Sequence, residues 1–405
     1  MAKSIINNLL YKKNWQAFWQ EKERYHRLNN KEKKLIKEFL ATQNYKKMTK
    51  AILSGESQFS LPTQTIINKI IADKKRVVYY YPPAEQLWLK VLAWEMRSYR
   101  FAISPLCFSG SEFGGSKKAL FQIIGDKDLH NKAGYKIDIQ NYFNEIDPTI
   151  MIEVLRKQVD DVALVDLVSK LLNNPQVIYH DEVIEQKKGI MAGTPLSAFL
   201  ANLYLKEMDD YFYQRQITYA RYADDIIVFA SPIELDEIIR VIDNFLTKYH
   251  LKINSGKTQV LAPGAPFDFL GFNYNNGIID LSAATVTKTK MKIRRAARSL
   301  DRAKNKKNYS TEKVLTLMIK KFNRKFFEIR QDNELNWLLW YFPVLNTTQS
   351  LKIIDSHLQN HLRFLAAGKH NKQGFQTLDY QTLKDLGYRT LVNEFYKFKT
   401  PTSPT

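Results

Sequence analysis

The chain has 405 residues, of which 44% are hydrophobic and 13% aromatic, so it can bury a large core in two or three packed subdomains. Its formal net charge of +20 favours a polyanionic partner such as nucleic acid, although ribosomal, membrane-surface and heparin-binding proteins share that property. The single cysteine, Cys107, excludes a disulfide framework and a cysteine-rich zinc site. No apolar run approaches the ~20 residues of a membrane span, and the first ten residues lack the core of a signal peptide. We therefore expect a cytoplasmic protein without a membrane partner.

The predicted elements fall into three regions. Residues 1–60 are rich in lysine with apolar residues at helical spacing, which predicts a helical N-terminal extension. Residues 61–275 mix strands and helices, and from residue 135 the order is strand, helix, hairpin, helix, strand, which is typical of a ferredoxin-like sheet. The pattern predicts one long helix over about 196–213 and a strand pair formed by residues 252–261 and 267–274. After a predicted turn at Asn276-Gly277, residues 276–405 are helical and basic. The expected fold class is α+β.

Three aspartates lie among apolar residues, where burying an ionised side chain costs free energy. Asp224 and Asp225 lie between two apolar runs, 217–222 and 226–230, which are separated by Ala-Asp-Asp and predict a tight hairpin. Asp138 lies within an apolar strand, where an unpaired acid is expensive to bury. An ordinary Asp-rich turn explains the pair alone, but the upstream acid favours a metal site. Two Mg²⁺ ions, which prefer oxygen ligands, can stabilise both oxygens of a nucleotidyl transfer.

This Tyr-x-Asp-Asp hairpin, preceded by an acid-bearing strand that leads into Tyr-Phe, resembles the catalytic palm of reverse transcriptases. The resemblance implies a right-hand polymerase with fingers, a ferredoxin-like palm carrying the YADD hairpin, and a helical basic thumb. It also implies an RNA-directed DNA polymerase that uses two Mg²⁺ ions, with Mn²⁺ as an alternative. The catalytic residues are then Asp138, Asp224 and Asp225, and the metal-binding set adds Ile139.

The resemblance extends to residues that bind the incoming nucleotide. They are Lys74, Lys75 and Arg76 on a fingers strand, Phe143, Gly193 and Lys257. Phe143 lies five residues after Asp138, where an aromatic ring excludes a ribose 2′-hydroxyl, although a core phenylalanine is the alternative interpretation. Lys257 is expected near the triphosphate, where it can protonate pyrophosphate. In many relatives a Pro-Gln pair precedes the turn glycine, and its glutamine helps to hold the nucleotide. Here those two positions are Met191 and Ala192, so that glutamine is missing.

Primer and template are expected on later segments. The residues implied are Tyr222, Leu270, Gly271, Arg294, Arg295 and Arg298. Residues 288–330 contain sixteen Lys or Arg against three acids, and an apolar stripe at Ile293, Ala296, Ala297 and Leu300 predicts an amphipathic helix. Its basic face can follow a duplex backbone, and a solvated surface helix is the alternative.

The biological role stays open between three interpretations. The leading one is a reverse transcriptase that copies a dedicated non-coding RNA in antiviral (phage) defence, with an RNA template, a DNA product or primer, and dNTPs as partners. The second is a mobile-element or group II intron-type enzyme, and the third is a maturase-like RNA-binding protein with a vestigial polymerase site. The maturase-like interpretation is disfavoured because a vestigial site need not retain all three acids. Retron enzymes usually carry Val-Thr-Gly in the thumb, whereas this chain has Val286-Thr287-Lys288, which argues against a standard retron. The sequence leaves open whether the protein forms a homo-oligomer.

Overall fold

The structure is a computed structural model that describes residues 4–25, 28–56, 58–68, 75–186, 189–328, 337–368 and 378–400. The chain divides into two compact units, Met1–Ala265 and Pro266–Thr405, called here the first and the second unit. The first 60 residues belong to the first unit. The division at residue 265 falls before the expected one at 275, because the strands that follow Pro266 pair with one another.

The elements are named in chain order. Those of the first unit are β1 (Thr63–Asn68), β2 (Lys75–Tyr80), β3 (Ala133–Asp138), β4 (Gln176–Tyr179), β5 (Glu182–Glu185), β6 (Thr218–Tyr222), β7 (Asp225–Ala230) and β8 (Gln259–Leu261), with helices α1 (Lys12–Arg24), α2 (Asn30–Thr42), α3 (Asn44–Ser54), α4 (Pro83–Glu95), α5 (Gly115–Ile124), α6 (Tyr142–Glu145), α7 (Pro148–Gln158), α8 (Val162–Asn173), α9 (Ser197–Tyr204), α10 (Lys206–Gln214) and α11 (Leu235–Lys248). Those of the second unit are β9 (Phe267–Phe269), β10 (Phe272–Asn275), β11 (Ile278–Leu281), α12 (Ala283–Lys307), α13 (Thr311–Phe327), α14 (Trp337–Trp340), α15 (Gln349–Ala367), α16 (Tyr380–Asp385) and α17 (Leu391–Lys399). Short 3-10 helices lie at Ile5–Leu10, Met96–Ala102, Ser111–Phe113, Leu129–Asn131 and Ser255–Lys257.

The N-terminal helices are amphipathic, as predicted, and pack into the core of the first unit. A reciprocal pair of hydrogen bonds between Asn29 and Glu32 forms a capping box that starts α2. Phe39, on the buried face of α2, packs its ring 5.6 Å from the ring of Trp15 on α1. The indole of Trp88 on α4 donates to Thr49 Oγ1 on α3 at 2.9 Å. These contacts join the N-terminal helices to the same hydrophobic cluster as the rest of the first unit.

A central sheet with the strand order β6-β7-β3-β8 organises the first unit. All of its pairs are antiparallel, and helices separate β3 from β6 and β7 from β8, which is the predicted ferredoxin-like order. Its apolar side chains are buried, as at Ile137, Ile226 and Val228. The expected pairing of residues 252–261 with 267–274 is wrong, because β8 pairs with β3 whereas β9 pairs with β10 in the second unit.

A second sheet, with the order β2-β1-β4-β5, is called here the outer sheet. The glycine turn, defined as residues 189–194, lies on its β2 edge, where Tyr79 N donates to Ala192 O at 2.8 Å. Gly193 has a φ of +99°, and a Cβ at this position would lie 3.1 Å from Tyr79 O. Both the backbone conformation and the close approach to β2 therefore require glycine.

The second unit combines a small sheet with long helices. Its strands have the order β11-β10-β9, and two-residue loops at Leu270-Gly271 and Asn276-Gly277 have positive φ at both positions, as in type I′ hairpins. Helix α12 packs on α15, and its residues Ile293, Ala296 and Ala297 are buried. Across the described residues, no helix has both the length and the apolar character needed to cross a membrane.

Candidate active site

The tip of the β6–β7 hairpin presents two adjacent carboxylates. Tyr222 pairs with Asp225, so the loop consists of Ala223 and Asp224. Ala223 has a φ of +56°, as the first loop residue of a type II′ hairpin has. The predicted link of three residues is therefore one residue too long, because Asp225 already belongs to β7. Asp224 lies at the tip and Asp225 occupies a fixed position in the sheet.

The third acid comes from the neighbouring strand. β3 ends at Asp138, whose partner across the β3–β7 ladder is Asp225. One residue further on, Ile139 N donates to Asp224 O at 3.0 Å. The central sheet thus brings together Asp138, Asp224 and Asp225, the three residues that the sequence nominates as catalytic.

These acids are poorly solvated and repel one another. Burial, together with the charges of Asp224 and Asp138, raises the pKa of the Asp225 carboxyl to about 6. Burial also raises the pKa of Asp224, and the nearby positive charges of Lys257 and Arg76 oppose that shift. Ionising all of these carboxylates together is therefore unfavourable. A bound cation would compensate their negative charge and remove that penalty.

The segment Asn254–Lys257 holds Asp138 in place. Asn254 Nδ2 donates to Asp138 Oδ1 at 3.1 Å, and Lys257 Nζ forms an ion pair with Asp138 Oδ2. The backbone of Asn254 also donates to Asp138 O at 2.8 Å. Lys257 was predicted, whereas Asn254 was missed. In the sequence, Asn254 could have been recognised by its position three residues before Lys257.

The donor set suits a hard cation. Within the described ranges, no group of three or more His, Cys, Asp and Glu side chains is arranged to hold a metal ion, and both oxygens of Asp138 accept hydrogen bonds from Asn254 and Lys257. The three acids nevertheless offer oxygen atoms from two adjacent strands, which is the ligand type that Mg²⁺ prefers. The side chain of Ile139 is apolar and buried, so this residue can contribute its carbonyl oxygen alone.

The predicted sugar gate lies beside the glycine turn. Ile190 N donates to the carbonyl of Phe143, which is half-buried in α6, at 2.9 Å. Met191, in place of the usual proline, is buried in a cluster with Tyr79 and Val177. Ala192, in place of the usual glutamine, is also buried and offers no polar side-chain atom. Phe143 and the glycine turn are therefore adjacent. The only polar atoms that Ala192 can offer are those of its backbone.

The fingers lysines are described in part. Arg76 is exposed on β2, and its charge acts on Asp224. Lys74 and the side chain of Lys75 lie outside the described residues.

Comparison with known proteins identifies the family. Residues 40–274, more than half of the chain, match the family model described as "Reverse transcriptase (RNA-dependent DNA polymerase)". The chain belongs to the reverse transcriptase family. The match includes all three acids and confirms the predicted family, and it supports a right-hand polymerase fold.

Individual relatives are distant. A retron Ec83 reverse transcriptase from Escherichia coli is 28% identical over 113 residues, which cover 26% of this chain and 35% of that protein. The chain thus spans about a third of that relative's length. Apo telomerase from Candida tropicalis, truncated from its C-terminal domain, has 14% identity and a TM-score of 0.45 over 56% of this chain and 55% of its own. Telomerase from Candida albicans in complex with a TWJ fragment of telomeric RNA has 12% identity and a TM-score of 0.43 over 87% and 66%. At these TM-scores the structural likeness adds nothing to the family match.

The residues expected to bind primer and template in a reverse transcriptase occur in both units. Tyr222 is half-buried beside the acids. Leu270 and Gly271 form a loop in the second unit, where Gly271 O accepts from Ser282 N at 2.9 Å and from Thr285 Oγ1 at 3.0 Å. Three arginines of α12 were predicted to contact nucleic acid, and all three are exposed, namely Arg294, Arg295 and Arg298. Their approach to nucleic acid stays a prediction.

One feature of this reverse transcriptase was not predicted at all. Arg221, which immediately precedes Tyr222, forms a fully buried ion pair with Asp209 of α10. The signal in the sequence is an arginine within an otherwise apolar strand, one residue before the Tyr-x-Asp-Asp motif.

Proposed function

We propose that the protein is an RNA-directed DNA polymerase that extends a primer by two-metal nucleotidyl transfer. The observation that carries the proposal is the register of the central sheet, which places Asp138 opposite Asp225 with Asp224 at the adjoining tip. Three carboxylates at one point of a buried sheet lower stability, so their presence favours a catalytic role. Membership of the reverse transcriptase family supports the same conclusion.

Asp138, Asp224 and Asp225, with the carbonyl of Ile139, are the groups that would hold the metal. When bound, two divalent cations supply charge stabilisation for the attacking and the leaving oxygens. We propose Mg²⁺ as the ion, because the donors are oxygen atoms, and Mn²⁺ as the substitute.

The remaining side chains bind and orient the nucleotide. The Lys257 side chain is about half exposed and reaches Asp138, so it can contact a triphosphate held at the acids and protonate the leaving pyrophosphate. Arg76, whose charge acts on Asp224, would neutralise charge on the same phosphates. The ring of Phe143 would exclude the 2′-hydroxyl of a ribonucleotide.

The second unit would serve as the thumb, the central sheet as the palm and the outer sheet as part of the fingers. On α12 the exposed arginines Arg294, Arg295 and Arg298 lie among the buried Ile293, Ala296 and Ala297. Such a helix can pack on its own unit and still present charge to a duplex backbone. Phosphate contacts of this kind set the position and the affinity of a duplex without reading its sequence.

Polymerase activity is tested directly with purified protein. Primed RNA and dNTPs should give extended DNA in Mg²⁺ or Mn²⁺, and excess EDTA should abolish the product. Extension that is unchanged in EDTA, or absent with both ions, would contradict the proposal.

For the biological role we propose copying of a dedicated non-coding RNA in phage defence, in the cytoplasm. Similarity to a retron reverse transcriptase from E. coli supports this over general template use. Purification from the native host, followed by sequencing of the bound RNA and DNA, should return one dominant RNA and its DNA copy. A broad mixture of cellular RNAs would instead support the mobile-element alternative.

A further inference from the structure

The ion pair between Arg221 and Asp209 is an unusual element of the first unit's core. Both side chains are 0% exposed, and Arg221 Nη2 lies 2.5 Å from Asp209 Oδ2. Burial raises the pKa of the Asp209 carboxyl, and the charge and hydrogen bonds of Arg221 oppose that shift. Tyr219, on the same strand as Arg221, adds a hydrogen bond to Asp209 Oδ1 at 2.8 Å. A buried ion pair is often no more stabilising than apolar packing, so stability alone explains it poorly.

The guanidinium also reaches beyond its acid partner. Arg221 Nη2 donates to Asn202 O at 2.7 Å, and Nη1 lies 3.5 Å from Ala201 O. Both carbonyls belong to the last turn of α9, which ends at Tyr204, so a cation there compensates carbonyls that a helix end leaves exposed. The sequence had predicted one helix over about 196–213, and the break at Leu205 that separates α9 from α10 was not foreseen.

The same guanidinium contacts the loop that bears the acids. Arg221 Nη1 lies 3.4 Å from Ala223 O, the carbonyl that precedes Asp224. The backbone of Arg221 is fixed as well, since its N–H donates to Leu106 O at 3.0 Å and its carbonyl accepts from Phe108 N at 2.8 Å. One side chain therefore links the end of α9, the buried acid of α10 and the catalytic loop.

The network extends to the predicted sugar gate. Tyr142, the residue before Phe143, donates its hydroxyl to Ala201 O at 2.6 Å. Ala201 O is thus shared by Arg221 from the hairpin and Tyr142 from α6. A displacement of the end of α9 would move both the acids and the gate.

We propose that Arg221, anchored by Asp209, is a positioning residue that fixes the Ala223-Asp224 loop against the end of α9. The inference rests on the proposed polymerase function. Its physical basis is that nucleotidyl transfer depends on the placement of the acids, and a misplacement of about 1 Å can cost roughly 10²-fold in rate.

The main test uses Arg221→Lys, which keeps the charge beside Asp209 but loses the fork that reaches both Asn202 O and Ala223 O. We expect kcat to fall by roughly 10- to 100-fold, while the KM for dNTP changes less than about threefold. Tyr219→Phe is the matched control, because it removes a hydrogen bond to the same carboxylate without touching the loop. It should keep kcat within about twofold of the parent.

A second variant keeps the test decisive if the lysine substitution unfolds the chain. The pair Arg221→Met with Asp209→Leu replaces the ion pair by apolar side chains, which buried cores tolerate. It should fold, as judged by its melting temperature, and show the same loss of kcat. A charge-only role for Arg221 predicts full activity for Arg221→Lys and would overturn the inference.

Hydrogen–deuterium exchange of the free protein gives a readout that does not depend on turnover. Residues 222–226 should exchange roughly tenfold faster in both Arg221 variants and at the parent rate in Tyr219→Phe. Parent-like exchange and kcat in both Arg221 variants would overturn the inference, as would an equal loss in Tyr219→Phe. A parent protein that lacks polymerase activity would refute the proposed function instead, and the exchange rates would still decide whether Arg221 fixes the loop.

Discussion

Replacing Lys257 with glutamine should slow nucleotide incorporation by roughly 10²- to 10⁴-fold while leaving the fold intact. The ammonium group forms an ion pair with Asp138 Oδ2, beside the acids where a triphosphate would bind. A proton donor at this position can neutralise the leaving pyrophosphate as the bond to it breaks. Glutamine can still donate a hydrogen bond, but it carries no charge and has no acidic proton to transfer.

The magnitudes separate catalysis from stability. The expected loss of rate corresponds to about 2.7 to 5.4 kcal/mol of barrier. The Lys257 side chain is 48% exposed, so solvent screens its ion pair, and such pairs contribute about 1 kcal/mol or less to folding. Asn254 Nδ2 continues to hold Asp138 Oδ1 at 3.1 Å in the variant. We therefore expect a melting temperature within about 4 °C of the parent.

The assay is single-turnover incorporation of one dNTP on a preformed primer–template, followed by rapid quenching. Lys257→Arg keeps the charge but is a much weaker acid, so its rate should lie between those of glutamine and the parent if both charge and proton matter. Lys252→Gln, an exposed position five residues earlier, is the matched control and should keep the parent rate. A rate for Lys257→Gln within about twofold of the parent would refute the assigned role.

Three further predictions follow from other parts of the chain. Phe143→Ala should admit ribonucleotides, measured as the ratio of rNTP to dNTP incorporation, which should rise roughly 10- to 100-fold because the ring no longer contacts the 2′-hydroxyl. Replacing Arg294, Arg295 and Arg298 with Gln should reduce the slope of log affinity against log salt by about 0.9 for each lost phosphate contact, measured by primer–template titration. Burial raises the pKa of the Asp355 carboxyl to about 6, above the ~3.9 of an unfolded chain. The protonated form is therefore favoured in the fold, and its stabilisation is complete below about pH 4 and lost as the pH rises through about 6. When the pH is lowered from 7.5 to 5, the melting temperature of the parent should therefore rise relative to that of Asp355→Asn.

Each of these outcomes has a counterpart that would contradict it. A parent that already uses rNTPs as readily as dNTPs would exclude Phe143 as the gate. Equal salt slopes for the triple variant and the parent would mean that the exposed arginines of α12 face solvent and not a duplex. A constant difference in melting temperature across pH would show that Asp355 stays ionised among its donors, Leu391 N at 2.8 Å and Val392 N at 3.1 Å.

The acids could be found in the sequence because their positions conflict with their surroundings. An aspartate between Ile137 and Ile139, and two more between apolar strands, have a desolvation cost that local patterning makes visible. The ferredoxin-like order of strand, helix, hairpin, helix and strand could also be predicted, since hydrophobic periodicity separates the strand segments from the helical segments.

The features that were missed depend on contacts between distant segments. The sequence does not show whether Asp225 lies in a loop or starts β7, because only pairing with Tyr222 decides it. The strand β8 has only three residues, so its hydrophobic pattern does not show whether it pairs with β3 or with β9. The break at Leu205 separates two helical stretches whose propensities alone predict one helix. Asn254 and Arg221 likewise acquire their roles from partners 116 and 12 residues away.

Incorporation by a variant with Asp224→Asn and Asp225→Asn tests most directly whether the protein is a metal-dependent polymerase. Asparagine keeps the size and the hydrogen bonds of the hairpin and removes mutual repulsion, so the melting temperature should stay the same or rise. Asp236→Asn, on the exposed first turn of α11, is the matched control. With primed RNA, dNTPs and Mg²⁺, the double variant should lose incorporation by roughly 10³-fold or more while the control keeps it. Equal incorporation by the double variant and the parent would contradict a catalytic role for Asp224 and Asp225.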